Sequence, residues 1–481
     1  MSPSDLYLLS PEIGLAAVAA VVLALDLTLG RRGLVTGAAV VGLALPAALT
    51  LVLWGEVASW WSLLDPIAGE REGYSLPAAG GAVAVDRFAL FFKTLFIGSA
   101  GLVLLASTRA IDRFSHRSGE YHVLLLLSVV GMMLLAGATE MITLYVALEL
   151  STLPLVALVA FGGAGRSIEA GLKFLVLGAI SSAVLLYGMA LTFGFLGTTS
   201  LPMMAEAVQD IAAEGSGPFG SPLLAAGVVM LVAGFGFKIA VVPFQMWVPD
   251  VYEGAPTPVT AFLSVASKAA GFAVLLRVFS TAFGSLEMDW ALLFAGIAAA
   301  SMTAGNLVAI AQSNIKRMLA YSAVAHAGYM VVGLAAVASR TPDGTALGSS
   351  MLLFYLAGYV VTNLGAFFAV IAIVARTGVE DIASFAGMAR RTPWVALALT
   401  VCLLSLTGIP PTVGFMAKLF VFTAAIEAGL AWLVILGVLN SVISAYYYLR
   451  VVRAMYGSPP TGEESGAGTP APLRLDRKSV V

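Results

Sequence analysis

Residues 237–270 read FKIAVVPFQMWVPDVYEGAPTPVTAFLSVASKAA, two strongly apolar segments joined by one short polar connection, and each segment carries a single lysine, Lys238 or Lys268. With a helix starting near Thr257, Lys268 lies about eleven residues in, or roughly 17 Å along the axis. A hydrocarbon core is about 30 Å thick, so this is near its middle. An ammonium group at that depth costs roughly 2.5–3.5 kcal/mol and has to face protein or water. Arg277, nearer the end of the same segment, reads instead as a side chain that snorkels to the interface.

The rest of the chain fits that reading. Of its 481 residues 60% are hydrophobic and 11% charged, with a mean hydropathy of +0.97. This is the composition of an all-α polytopic membrane protein. A net charge of −2 leaves no basic surface for nucleic acid. Cys402 is the only cysteine, so a disulfide framework and a thiolate cluster for zinc or iron–sulfur are excluded. His116, His122 and His326 are too scattered to argue a bis-histidine haem. No G-x-G-x-x-G follows a strand and there is no P-loop. Electron transfer therefore belongs on another chain. The first apolar segment, from about Tyr7 to Leu29, is too long for a cleaved signal peptide and is kept as a span.

About thirteen spans are expected, near 5–29, 34–54, 86–108, 121–137, 141–162, 168–197, 222–247, 257–282, 289–311, 316–338, 349–376, 393–426 and 430–455. A charged loop covers Gly55 to Val85, and the tail from Gly457 (457–481) has the composition of a disordered segment. Basic residues fall in alternate loops: Arg31 and Arg32; Arg109, Arg113 and Arg117; Arg166; Lys316 and Arg317; Arg376, Arg390 and Arg391; Arg450 and Arg453. The intervening loops hold Glu206, Asp210 and Glu214, or Glu287 and Asp289. The positive-inside rule then places the N-terminus outside and the C-terminus in the cytoplasm.

After three N-terminal spans (1–120), residues 121–284 and 285–456 form two blocks of five spans. A duplicated odd-numbered unit inserts in opposite orientations, giving inverted repeats. The fourth member of each block carries a helix breaker and a lysine: Lys238 with Pro243, and Pro410 and Pro411 with Lys418. Proline removes a donor and frees carbonyls that need water or protein partners, so helices seven and twelve should be broken beside a hydrated path.

The candidate proton-carrying set is Glu149, Lys173, Lys238, Lys268, His326 and Lys418. Five such charges left unpaired would cost roughly 12–17 kcal/mol, as much as the whole stability of a typical domain. Glu149 reads as the only carboxylate at mid-depth and a lysine as its partner, a couple whose changing separation hands a proton on. Histidine has the ordinary pKa nearest neutrality, which suits His326 to a relay between the blocks. Lys173 lies near a span start, where snorkelling competes with function.

Three runs carry a family resemblance: WVPDVYEGAPTPVTAFLSVASK from Trp247 to Lys268, AYSAVAHAGY from Ala320 to Tyr329, and LSLTGIPPTVGFMAK from Leu404 to Lys418. They resemble the subunit N family of bacterial respiratory complex I, the NADH–quinone oxidoreductase, and the likeness extends to about Tyr456. The resemblance implies an antiporter-like membrane-arm subunit that translocates protons, driven by quinone reduction elsewhere in the complex. It implies that NADH, FMN, iron–sulfur clusters and quinone are held by partner subunits, with M-type and small K- and J-type subunits as neighbours in the bacterial inner membrane. By position, Glu149 is similar to the family's glutamate of span five, Lys238 to its partner lysine in span seven and Lys268 to the central lysine of span eight. His326 is similar to the histidine of span ten and Lys418 to the exit-side lysine of span twelve. The related M-type subunit has a glutamate at this last place. The family has a fourteenth span, where this chain has a hydrophilic tail. A subunit of a multisubunit Na⁺/H⁺ antiporter, which shares the fold, is the alternative.

Overall fold

The computed structural model describes residues 2–29, 32–57, 75–111, 118–163, 165–213, 221–284, 289–338 and 347–457. The chain begins with α1 (Pro3–Leu8), α2 (Ser10–Leu29), α3 (Arg32–Gly42) and α4 (Ala44–Val57). A two-stranded antiparallel hairpin, β1 (Leu76–Ala78) and β2 (Val83–Val85), precedes α5 (Arg87–Ile111). Next come α6 (Ser118–Gly137), α7 (Met141–Val159), α8 (Gly165–Leu196), α9 (Leu201–Ala213) and α10 (Pro222–Ile239). The connection α11 (Val248–Gly254) leads to α12 (Thr257–Phe262) and α13 (Lys268–Thr281), which are continuous through a π turn over Leu263–Ser267. The remainder is α14 (Asp289–Ile310), α15 (Ile315–Ala338), α16 (Leu347–Thr377), α17 (Met388–Arg391), α18 (Pro393–Thr407), α19 (Val413–Glu427) and α20 (Ala431–Tyr456).

Helices dominate because backbone groups in an apolar medium have to bond within their own segment. Among the described residues, 12 helices are long and apolar enough to cross a membrane. They coincide with the first eleven expected spans and the thirteenth. The expected span at 393–426 is broken as anticipated, into α18 and α19, which are separated at residues 408–412. Span seven is also shorter than expected, because α10 stops at Ile239 and the chain then runs irregularly past Pro243. Two elements were not anticipated. One is the β-hairpin, and the other is α9, which buries Leu201, Met204 and Val208 along one side. Asp65, Glu70, Arg71 and Glu72, the basic residues Arg31, Arg113 and Arg117, Glu214 and Glu287, and the tail 458–481 lie outside the described residues.

A large apolar core includes α12, the π turn and α13, and a second, smaller cluster joins α1, α4, the β-hairpin and the start of α5. The span formed by α12 and α13 is almost wholly enclosed by protein, packed against α5, α6, α10 and α16. Both breaks are held by hydrogen bonds, the first to α14 as well as within its own span. After α10, Val242 N donates to Ser301 Oγ at 2.9 Å and Trp247 Nε1 to the Phe237 carbonyl at 3.1 Å. After α18, Gly408 turns with φ +88°, and Gly414 N donates to Ser405 Oγ at 3.1 Å.

Gly414 admits no side chain, because a Cβ there would lie 1.8 Å from the Ser405 carbonyl oxygen. Gly414→Ala should therefore force α18 and α19 apart and destabilise the chain by about 1–3 kcal/mol, as overpacking does. Thermal unfolding of the detergent-purified variant checks this, with an unchanged transition as the contrary result.

Candidate functional site

Four of the six expected residues lie buried in the interior: Lys238, Lys268, His326 and Lys418. Lys238 is the second-last residue of α10. Its Nζ donates to Thr152 Oγ1 at 2.6 Å and Ser151 Oγ at 3.1 Å, both on α7. Its stem packs against α13 at Gly271, where a Cβ would lie 3.1 Å from Lys238 Cγ. The head faces a small cavity lined by Thr152, Phe174, Ser181, Ser182, Trp247 and Ser267 among others, with room for roughly one water molecule.

Glu149 is half-buried on α7, and Ser182 Oγ donates a short hydrogen bond to its carboxylate. The expected Glu149–Lys238 ion pair is not made within 4.0 Å among the described residues. Hydroxyl groups one turn away take the ammonium, and a serine hydroxyl takes the carboxylate. Ser182, which holds Glu149, lines the same small cavity as Lys238.

Lys268 opens α13 immediately after the π turn. Its ammonium donates to the Ala323 carbonyl of α15 and lies 5.6 Å from the centroid of the Tyr359 ring. His326, one turn along α15, lies with Nδ1 2.8 Å from Tyr355 Oη and Nε2 3.3 Å from Tyr448 Oη. Lys418 reaches back from α19 to the end of α18, donating to the carbonyls of Thr407 (2.9 Å) and Leu406 (3.2 Å) and to Ser441 Oγ (3.2 Å). All three ammonium hydrogens are thereby used, and the ring of Tyr329 adds a cation–π contact at 4.4 Å. A helix C-terminus leaves carbonyls unsatisfied and carries partial negative charge, so the break in span twelve is itself the counter-ion of Lys418.

Lys173 does not join this row. It is about two-fifths exposed and forms ion pairs at 2.8 Å with Glu169 and Asp250. Asp250 also bonds Arg317 at 2.8 Å, and Arg317 bonds Glu253, so α8, α11 and α15 are tied together where the basic residues cluster. Lys316 adds a bond to the Ala255 carbonyl and an ion pair with Glu380.

Two further charged pairs escaped the sequence reading. Arg277 does not snorkel: it is buried, holds Asp86 through both guanidinium nitrogens at 2.5 and 3.0 Å, and donates to the Ala136 carbonyl at 2.8 Å. Glu149 is also not the only enclosed carboxylate, because Glu12 of α2 is buried in an ion pair with Lys93 of α5 at 2.7 Å. Arg277 was visible as an ion inside an apolar run, but its position near the span end favoured an interfacial reading, and Glu12 and Lys93 were not singled out. Among the described residues no three His, Cys, Asp or Glu side chains gather as a metal site.

Broken helices beside enclosed lysines and a central helix without lipid contact define an antiporter-like, ion-conducting membrane subunit. Residues 138–444 match the family model described as NADH:quinone oxidoreductase/Mrp antiporter, TM. The chain is 46% identical over 394 residues (80% of each chain) to NADH-quinone oxidoreductase subunit N of Dehalococcoides mccartyi. It is 43% identical over 466 residues to the Moorella thermoacetica protein of that name, covering 96% of this chain and 91% of the relative. It therefore belongs to the NADH-quinone oxidoreductase subunit N family. Among solved structures it matches a chain of respiratory complex I from Thermus thermophilus, with TM-score 0.74 and 33% identity, over 93% of this chain and 90% of that one. A chain of the Mrp complex from a Dietzia species shares the fold, with TM-score 0.80 and 21% identity, over 96% of this chain and 82% of that one.

Asp250 lies outside the spans, and its carboxyl is held below the usual range by Lys173 and, against the cost of burial, by Arg317. A carboxyl depressed in the folded state stabilises that state above its unfolded pKa, and the contribution is lost as pH falls through the lowered value. Asp250→Asn should accordingly loosen α11 at neutral pH, with the difference from wild type shrinking in acid. Hydrogen exchange over residues 248–254 measures it, and equal protection at neutral pH would contradict the assignment.

Proposed function

We propose that the chain carries protons across the bacterial inner membrane as a membrane-arm subunit of an NADH–quinone oxidoreductase, coupled to quinone reduction on partner subunits. The observation that carries the proposal is the row Lys238, Lys268, His326 and Lys418, four proton-binding groups enclosed by protein, three of them beside a helix break or π turn. An enclosed ionisable group in a span is functional by default, since its insertion cost has to be repaid. The neighbours of each lysine are hydroxyls and backbone carbonyls rather than fixed carboxylates, so no close ion pair locks its proton in place.

Protons enter at the basic end of the molecule, beside the cavity shared by Lys238 and Ser182. They pass to Lys268 and His326 and leave near Lys418 on the far side of the second break. Glu149 sets the charge opposite Lys238 across the cavity, so movement of α7 against α10 changes how firmly the entry lysine holds its proton. Residues 121–284 and 285–456 act as two five-helix units of inverted topology, supported by the break and lysine in the fourth span of each. The arginines and lysines at Arg166, Lys316, Arg317, Arg390, Arg391 and Arg453 support a cytoplasmic C-terminus. A sodium–proton antiporter subunit is the second reading, favoured by fold likeness and by the shared family model, whereas identity of 43–46% to subunit N relatives favours the quinone-linked one.

Proton uptake measured alongside quinone reduction in vesicles bearing the assembled complex tests the proposal. Lys268→Ala should lower uptake through this complex by about tenfold or more with the chain still incorporated. Undiminished uptake would reduce Lys268 to a structural lysine. Glu149→Gln should slow pumping at neutral pH, and full activity would remove the carboxylate from the entry step.

A further inference from the structure

Lys268, His326 and Lys418 make no hydrogen bond to one another, and hydroxyl side chains stand beside each of them. Tyr359 of α16 stands between Lys268 and His326. Its ring centroid lies 5.6 Å from Lys268 Nζ and 5.2 Å from the imidazole. Its hydroxyl is buried yet has no hydrogen-bond partner among the described residues. A buried hydroxyl in that state calls for a water molecule or a transient partner.

Beyond His326, the bridging element is α20. Tyr448 Oη lies 3.3 Å from His326 Nε2 and is also hydrogen-bonded to Ser322 Oγ. Two turns back on the same helix, Ser441 Oγ accepts from Lys418 Nζ at 3.2 Å and lies 3.3 Å from Tyr329 Oη. Seven residues span about 10.5 Å and return to the same helix face. Buried Ser444 lies between them on that face. One helix therefore presents a hydroxyl to each end of the His326–Lys418 gap.

Resting on the proton-carrying role of Lys268, His326 and Lys418, we propose that Tyr359, Tyr448 and Ser441, with Tyr355 at the entry nitrogen of His326, are the residues that pass the proton between them. A hydroxyl takes a proton on its oxygen as it releases the one it holds. The transfer thus removes one proton from Lys268, places it on His326 Nδ1 as Nε2 releases one to Tyr448, restores each hydroxyl, and delivers one proton to Lys418 once Lys418 has released its own outward, with ordered water closing the distances beside Tyr359 and over Ser444. Tyr355 Oη, 2.8 Å from Nδ1 of His326, orients the ring and is the hydroxyl through which the proton from Tyr359 reaches that nitrogen.

The test uses the assembled complex in vesicles, reading proton uptake per quinone reduced and the solvent deuterium effect on uptake. Tyr359→Phe and Tyr448→Phe keep the ring and remove only the hydroxyl, so each should lower uptake by about tenfold and enlarge the deuterium effect. Ser441→Ala should do the same and Ser441→Thr should restore uptake. Tyr446→Phe, on the exposed face of α20, should behave as wild type. Wild-type uptake and deuterium effect in both phenylalanine variants and their double would overturn the relay. Lys418→Ala run in parallel separates the two readings. Lost uptake there with normal uptake in the tyrosine variants refutes the relay alone, whereas normal uptake in Lys418→Ala refutes the proton-carrying role beneath it.

Discussion

The structure depends on one constraint, the cost of placing ammonium groups inside an apolar protein. Three enclosed lysines without a carboxylate partner, Lys238, Lys268 and Lys418, would together cost roughly 7–10 kcal/mol if left bare, comparable to a typical whole stability of about 5–15 kcal/mol. The chain answers largely with backbone. Lys418 caps the C-terminus of α18, Arg277 the end of α6 and Arg450 the end of α14, where it donates to the Ile310 carbonyl at 2.9 Å. Helix ends supply partial negative charge without a carboxylate that would hold the proton fast. A break in the middle of a span creates such an end at a depth where an intact helix has none.

These three lysines differ in how completely they are satisfied. Lys418 finds three acceptors, Lys238 finds two hydroxyls, and Lys268 finds one carbonyl and the face of an aromatic ring. Firm holding at the far end and looser holding at the centre suit a group that receives a proton and one that passes it on. Around this row, the surface ion pairs among Lys173, Asp250, Arg317 and Glu253 tie together helices of both halves at the basic end. Arg277 and Asp86 pin the other end of the central span to α5.

Much of this was legible in the sequence, for a simple reason. A lysine deep in an apolar run stands out by itself, so Lys238, Lys268 and Lys418 were found without knowledge of their surroundings. The family of the chain was legible in the runs around those same residues. Partners were a different matter. Asp86 lies 191 residues from Arg277, and spacing along a chain carries no trace of such a contact. Ser151, Thr152 and Ser182, which separate Lys238 from Glu149, are small neutral side chains that look like ordinary filler in apolar helices. The end of α10 at Ile239 was hidden because residues 240–247 stay apolar after the helix stops. Lys173 looked like a member of the buried row because hydropathy reports depth along a helix but not which side of it faces outward.

The central claim is that breaks and hydroxyls hold the enclosed lysines in contact with a hydrated proton path. The most direct measurement is a cryo-electron microscopy structure of the assembled complex at a resolution that shows ordered water. The account predicts water in the cavity beside Lys238 and Ser182, at the free hydroxyl of Tyr359, and along Ser441 to Tyr448. Dry apolar contact at all three places, in a complex that pumps protons, would contradict it.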